Sequence, residues 1–394
     1  MLQFSLTLVL LTGAGMLLRS IRQLWRVNPG FDTRQMLSFQ VGLSSSFTRT
    51  PEGIRIAYQQ LLERLRSLPG VTAADLTNIP PLSGEDNSGP FWLGTTPPAS
   101  MQDAPHALYF WTGPEYLRTM GIPPMQGRFF SPGDSVATPK VVVIDQVLAQ
   151  TFFPHDNPVG KTVTVAHWGA ARIIGVAGPV RVWGLDDPGT YNPRQIYIPA
   201  YQLPASLVTD FFGTLTILVR SPLPPSQLLP EIRNVVYQTA PDQPVYNIKT
   251  IEDLERESMA ARRIPILLLG FFATLALLLA SVGIYGVVSY SATRRVREIG
   301  IRMALGANTT DVLRMVLGQG MKMAAIGIIL GMTAVFPLVR LLPSFSHLLY
   351  GIEKDDPLTL ITVSLCMILI ALAACYVPAR RATRTDPMVS LCCE

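Results

Sequence analysis

Arg294-Arg295-Val296-Arg297-Glu298-Ile299-Gly300-Ile301-Arg302-Met303-Ala304-Leu305-Gly306-Ala307 lies between two long apolar runs. Val296, Ile299 and Met303 share one helical face, and Arg294, Glu298 and Arg302 recur every four residues on another, giving charge pairs of alternating sign. An arginine-rich amphipathic helix held between two spans belongs on the cytoplasmic surface, where it can take a push from a soluble partner and pass it on. A solvated helix resting on lipid headgroups satisfies the same pattern. Gly306 offers a C-cap, and Asn308 with Asp311 opens the next helix, so the local geometry is surface helix, tight turn, span.

Working outward, four apolar runs approach the roughly 20 residues that cross a hydrocarbon core. They lie near 1–18, 266–290, 315–342 and 357–377. The expected fold class is a membrane α-helical protein of four transmembrane helices, with a large α+β external domain inserted between the first and second. The expected boundaries are 1–20 for helix 1, 21–263 for the external domain, 264–291 for helix 2 and 292–308 for the cytoplasmic helix. Helix 3 follows at 309–342, an external loop at 343–356, helix 4 at 357–378 and a cytoplasmic tail at 379–394. Small residues mark where helix backbones can approach in lipid: Ala276, Ala280, Gly283 and Gly286 in the second run, and the GxxxG of Gly327 and Gly331 in the third.

Orientation follows from charge. Arg294, Arg295, Arg297, Arg302, Arg314 and Lys322 face only Glu298 and Asp311, and Arg380, Arg381 and Arg384 crowd the end, so both regions are cytoplasmic. Parity then puts the long segment outside, although Arg19, Arg22, Arg26, Arg262 and Arg263 flank it; long domains translocate largely regardless of charge. The acidic Glu353, Asp355 and Asp356 suit the external loop.

Composition agrees with a membrane protein. The 394-residue chain is 48% hydrophobic and only 15% charged, with a mean hydropathy of +0.31, against about 25% charged residues in a soluble domain. The net charge of +5 is concentrated where it orients spans, which argues against nucleic-acid binding. Cys366, Cys375, Cys392 and Cys393 all lie beyond the polar middle, leaving no disulfide scaffold or CxxC site there.

The external segment has matching ends. A strand at 36–43, a helix at 51–68 with the stripe Ile54, Tyr58, Leu61, Leu62 and Leu65, and a strand at 71–76 recur as a strand at 215–220, a helix at 226–239 and a strand at 245–249. This predicts one split α+β subdomain from 27–84 and 206–255, with a mostly β insertion at 85–205 carrying strands at 140–144, 162–166, 172–176 and 195–198.

No catalytic, cofactor or metal residues are predicted. Asn157-Pro158-Val159-Gly160-Lys161-Thr162 ends like a phosphate-binding loop, but His155 stands where its first glycine belongs, so a β-turn is expected. The histidines 106, 155, 167 and 347 have no partners at metal-ligand spacing, and no nucleophile elbow occurs.

The run Gly283-Ile284-Tyr285-Gly286 leading into Arg297 to Ala307, and Pro378-Ala379-Arg380-Arg381-Ala382 followed by Asp386-Pro387, resemble the FtsX-like/MacB-like ABC transporter permease family. The resemblance extends over nearly the whole chain, through Asn157 to Lys161, Ile173-Ile174-Gly175-Val176 and Ile196-Tyr197-Ile198-Pro199. It is nearest to the family's duplicated orphan permeases known from acidobacteria, this chain corresponding to a C-terminal half with its first helix truncated at the start. The resemblance implies a multi-pass protein of the bacterial inner membrane, its large external domain and its external loop periplasmic, that is not itself an enzyme. ATP would be bound by a separate cytoplasmic ABC ATPase, docking through Arg294, Arg297, Glu298, Gly300, Arg302 and Gly306. Further implied partners are a second copy or homologous permease half, a periplasmic adaptor and membrane lipid. The implied activity is export or mechanotransmission, with efflux of an amphiphile, peptide or lipoprotein. The alternative is a non-transporting signalling or scaffold subunit that regulates a periplasmic hydrolase or sensor kinase.

Overall fold

The computed structural model of the chain describes residues 2–24, 28–42, 50–80, 82–183, 193–211, 215–239, 244–294, 308–341 and 357–382. The chain divides into two compact units, Val27–Ala260 on one hand and Met1–Arg26 with Ala261–Glu394 on the other. It opens with α1 (Leu2–Leu24), followed by β1 (Met36–Val41), α2 (Pro51–Arg66) and β2 (Ala73–Thr77). Next come β3 (Ser88–Leu93), β4 (His106–Thr112), the short α3 (Tyr116–Met120) and β5 (Pro124–Gly127). The middle is completed by β6 (Val141–Asp145), α4 (Gln146–Phe152), β7 (Thr162–Val165), β8 (Gly169–Ala177) and β9 (Gln195–Pro199). Then α5 (Ala205–Phe211), β10 (Thr216–Arg220), α6 (Pro225–Thr239) and β11 (Val245–Thr250) lead to three long helices: α7 (Ile251–Arg294), α8 (Thr309–Leu341) and α9 (Pro357–Ala382).

In the first unit, strands from the two ends of the segment interleave in the order β11-β1-β10-β2, every pair antiparallel. Alternation sends Leu37, Phe39 and Val41 of β1 to one face, with Ile217 and Val219 of β10 and Ala74 and Leu76 of β2. There they meet the stripes of α2 (Ile54, Tyr58, Leu61, Leu62, Leu65) and α6 (Leu228, Ile232, Val235, Val236), all buried. The helix α2 starts where it does because the Thr50 hydroxyl accepts the Gly53 amide at 3.1 Å and Pro51 occupies the first turn. After Ser67 closes it, Gly70 takes φ +84°, a turn open to glycine at little cost. This is a split β-α-β sandwich assembled from both ends of the segment.

The middle differs from the expected separate β module in two respects. Because β9 pairs with both β6 and β4, the strands β4-β3-β7-β8-β6-β9 close into a ring, a small barrel. That ring joins the split sheet through the pair Thr77↔Thr112, so β2 and β4 make one continuous sheet. Phe91, Tyr109, Trp111, Ile144, Val163, Ile173, Ile196 and Ile198 of the ring all belong to the hydrophobic core. Phe152 of α4 packs edge-on against Phe91 at 5.2 Å. One carboxylate ties β6, α4 and β9 together: Asp145 accepts the amides of Val147 and Leu148 as an N-cap and that of Gln195 across the ring. Gln202 performs a similar service, accepting the Val141 amide and donating to Ser135, Thr138 and Pro139.

In the second unit the first expected run is helical. α1 is one helix, but its apolar stretch is only Ser5–Met16, because Arg19 and Arg22 occupy its last turns. Among the described residues, three helices are long and apolar enough to cross a membrane, over Leu267–Ser291, Leu313–Ala334 and Leu358–Val377. The expected loop at 343–356 and tail beyond 382 lie outside the described residues.

Asp75, on β2, is fully buried at the join between the two sheets. Its carboxylate accepts the amides of Leu76 at 2.8 Å and Glu115 at 2.5 Å, and an Arg66 guanidinium nitrogen lies 3.8 Å away. Burial outweighs these contacts and pushes its pKa up to about 7. The folded state therefore holds this proton more tightly than the unfolded chain, where the pKa is about 3.9. Stability from Asp75 is complete below that value and is lost as pH rises through about 7. Thermal unfolding of the full chain is expected to shift to lower temperature between pH 5 and pH 8, and Asp75→Asn to flatten that slope; equal slopes in the two proteins would contradict the assignment.

Candidate functional site

The basic amphipathic segment begins at the end of α7. Arg294 is exposed and places its guanidinium 5.0 Å from the centroid of the Tyr290 ring, one turn back. Of the other residues expected to couple to an ATPase, Arg297, Glu298, Gly300, Arg302 and Gly306 lie outside the described residues. The next described helix, α8, begins at Thr309.

The helices of this unit meet along small residues. A Cβ on Gly331 of α8 would stand 2.8 Å from Cδ2 of Leu8, a fully buried residue of α1. A Cβ on Gly320 would stand 2.2 Å from Sγ of Cys375 on α9, and one on Gly15 of α1 would stand 2.9 Å from Thr359 of α9. Gly320, Ala324, Gly327 and Gly331 are all buried, at i, i+4, i+7 and i+11, which is the spacing of one helix face. Gly320 and Ala324 escape a reading confined to GxxxG, though extending its spacing backwards along α8 reaches both.

On α7, Ala280 is buried in the same cluster as Leu8, Ala324, Ile328 and Met367. The Ala276 carbonyl accepts the Thr7 hydroxyl of α1 at 3.2 Å, and a Cβ on Gly283 would come within 3.0 Å of Gln3 Oε1. Gly286, the last of the expected packing set on α7, is exposed, and a Cβ there would meet nothing within 4 Å.

The turn at Asn157 to Lys161 has no phosphate-loop geometry. Asn157 Oδ1 accepts the Val159 amide at 3.0 Å, Gly160 takes φ +93°, and the Lys161 ammonium is held by Asp156 at 2.5 Å and over the Phe153 ring at 5.1 Å. Among the described residues, no three His, Cys, Asp or Glu side chains come together as a metal site.

Comparison with known proteins agrees with this architecture. Residues 4–235 match the MacB-like periplasmic core domain, and residues 270–387 match the FtsX-like permease C-terminal domain. Relatives include the macrolide export ATP-binding/permease protein MacB of Bordetella avium, 27% identical over 72% of this chain and 42% of its own length. The protein of the same name from Bartonella quintana is 26% identical over 84% of this chain and 53% of its own. The chain thus spans about half the length of the curated relatives it matches. Among solved structures, the periplasmic region of MacB from Actinobacillus actinomycetemcomitans aligns with 60% of this chain and 98% of its own, at 15% identity and a TM-score of 0.38. With a MacB-like periplasmic core followed by an FtsX-like permease domain, the chain belongs to the FtsX-like/MacB-like family of ABC transporter permeases.

Proposed function

We propose that this chain is the membrane permease subunit of an ABC-type export or mechanotransmission complex. A separate cytoplasmic ATPase binds and hydrolyses ATP, and its closure pushes on the segment from Arg294 to Gly306. The observation that carries this reading is one long helix, with Pro265 inside it. α7 begins directly after β11 of the folded unit and ends at Arg294, where the charge-alternating segment starts. Force delivered at one end therefore enters the same rod whose first turns belong to the strand-bearing unit.

In this reading α1 is a fourth span beside α7, α8 and α9, and the folded segment between α1 and α7 is periplasmic. The protein is a multi-pass component of the bacterial inner membrane, working as a dimer with a second copy or a homologous permease half. A periplasmic adaptor and the surrounding lipid complete the assembly, whose cargo is an amphiphile, peptide or lipoprotein. Energetically, the ATPase must bind two arrangements of the helices with different affinity, since equal affinity would move nothing.

Glu298→Lys reverses charge on the coupling face and is expected to abolish stimulation of a co-expressed partner ATPase while membrane insertion and yield stay unchanged. Undiminished association and stimulation would refute the coupling role. In a chain stripped of its native cysteines, single cysteines replacing Arg297 and Thr95 are expected to label from opposite sides of the membrane; labelling from one side would overturn the topology.

Gly320→Ala forces a methyl against the Cys375 thiol. It is expected to destabilise the helix unit by about 1–3 kcal/mol, read as lost resistance to denaturing detergent. Gly320→Ala with Cys375→Ala is expected to recover most of that loss, and a failure of the second change to help would show that the seam does not pack this way.

A further inference from the structure

A cleft of about 350 Å³ opens on the face of the split sheet away from α2 and α6, within the size range of small-ligand sites. The alternation that sends Leu37, Phe39 and Val41 into the core leaves Ser38 and Gln40 on this side, beside Thr216 of β10 and Asn247 and Lys249 of β11. These floor residues hold one another in place. Gln40 donates to Thr216 and accepts from Asn247, while Ser38 donates to the Lys249 carbonyl. The Lys249 ammonium is paired at 2.5 Å with Glu257 on the second turn of α7. The facing wall is made by Pro80, Leu82, Ser83 and Glu85.

Two features of this cleft are unexplained by packing. Leu82 and Asn247 both adopt left-handed backbone, at φ +61° and +51°. This is a costly conformation for a leucine, and such strain gathers where a ligand is clamped. The Glu85 carboxylate also lines the cleft without a hydrogen bond or ion pair among the described residues. The side chain is exposed at the edge of the cleft, and the partial burial it has there raises its pKa.

Charge decides what can fill the space. Lys249 is the cleft's one basic side chain among the described residues and is already neutralised by Glu257, so an anion would find no free cation and would face Glu85. A neutral molecule would leave the exposed Glu85 charge to water and gain nothing from it. The geometry points to this cleft as a binding site for a small organic cation, an amine bearing hydroxyl or amide groups, whose ammonium pairs with Glu85. Its polar groups meet the Asn247 side chain and the remaining donors of Lys249, while its carbon skeleton lies against Leu82 and Leu254. Because Leu254 and Glu257 are part of α7, an occupant touches the helix that continues to Arg294. The inference requires no transport of the ligand and holds whether or not an ATPase partner is present.

The test uses the full chain in lipid nanodiscs and a matched pair of probes, glucamine and sorbitol, which differ only in an amine replacing a hydroxyl. Calorimetric titration at neutral pH is expected to give glucamine an affinity at least about tenfold above that of sorbitol, as a pairing with one otherwise unpartnered charge should. Glu85→Gln is expected to erase that preference, and Lys249→Met to leave glucamine binding in place. If Glu85→Gln fails to fold, acidification of the wild type supplies the same information: glucamine affinity should fall as Glu85 protonates, with sorbitol unaffected. Equal binding of the two probes, binding of neither, or a preference that survives both Glu85→Gln and acid would overturn the proposal.

Discussion

The hydrogen-bond ladders that seat β1 between β10 and β11 are the constraint on which the folded segment depends. Met36 pairs with Arg220 and Gln40 with Thr216 on one side, while Leu37 pairs with Thr250 and Val41 with Val245 on the other. A slip of one residue would turn Leu37, Phe39 and Val41 away from α2 and α6, so the burial of that face fixes the register. The sheet consequently cannot form from either end of the segment alone. More than 170 residues must be brought round before Gln40 finds Thr216, a separation of |i−j| = 176. Such long-range pairing is slow to form because loop closure precedes any gain in contacts.

The membrane helices obey a different rule. Lipid tails are as apolar as leucine, so burial supplies little drive between helices, and close backbone approach must replace it. The contacts of Gly320 with Cys375, Gly331 with Leu8 and Gly15 with Thr359 supply that approach for α1, α8 and α9. α7 is different in kind. Leu267, Phe271, Leu278 and Val282 are exposed along it, and its apolar stretch is less buried than those of α8 and α9. A helix with few locking contacts is the one that can be displaced at least cost, because local stability follows local packing.

Much of this was legible before any coordinates. The 3.6-residue stripe from Ile54 to Leu65 and the breaker Pro69-Gly70 bracket α2, and the matching pattern near residues 215–249 reveals the second half of the split sheet. β3, β4 and β5 escaped notice for identifiable reasons. Gly89 and Pro90 interrupt β3, and β4 runs Ala107-Leu108-Tyr109-Phe110-Trp111 without alternation. Both faces of β4 are covered: Tyr109 and Trp111 join the core, while Phe110 stacks on Tyr197 at 5.2 Å. Ring closure is a property of pairing partners, which no periodicity encodes. The cleft was equally invisible, since Gln40, Leu82, Asn247 and Glu257 are far apart in the chain and only the interleaved strands collect them.

A ring of six strands has no end strand from which to unzip. Each member is hydrogen-bonded on two sides, so bending one means breaking two ladders at once. The neighbouring open sheet has outer members, and among the described residues its strand register with the ring is the Thr77↔Thr112 pair, flanked by the Asn78 amide to the Trp111 carbonyl and the Gly113 amide to the Leu76 carbonyl. The ring is therefore the stiffer part of this unit, and the open sheet, whose outermost strand β11 is paired on one side only, bends at less cost.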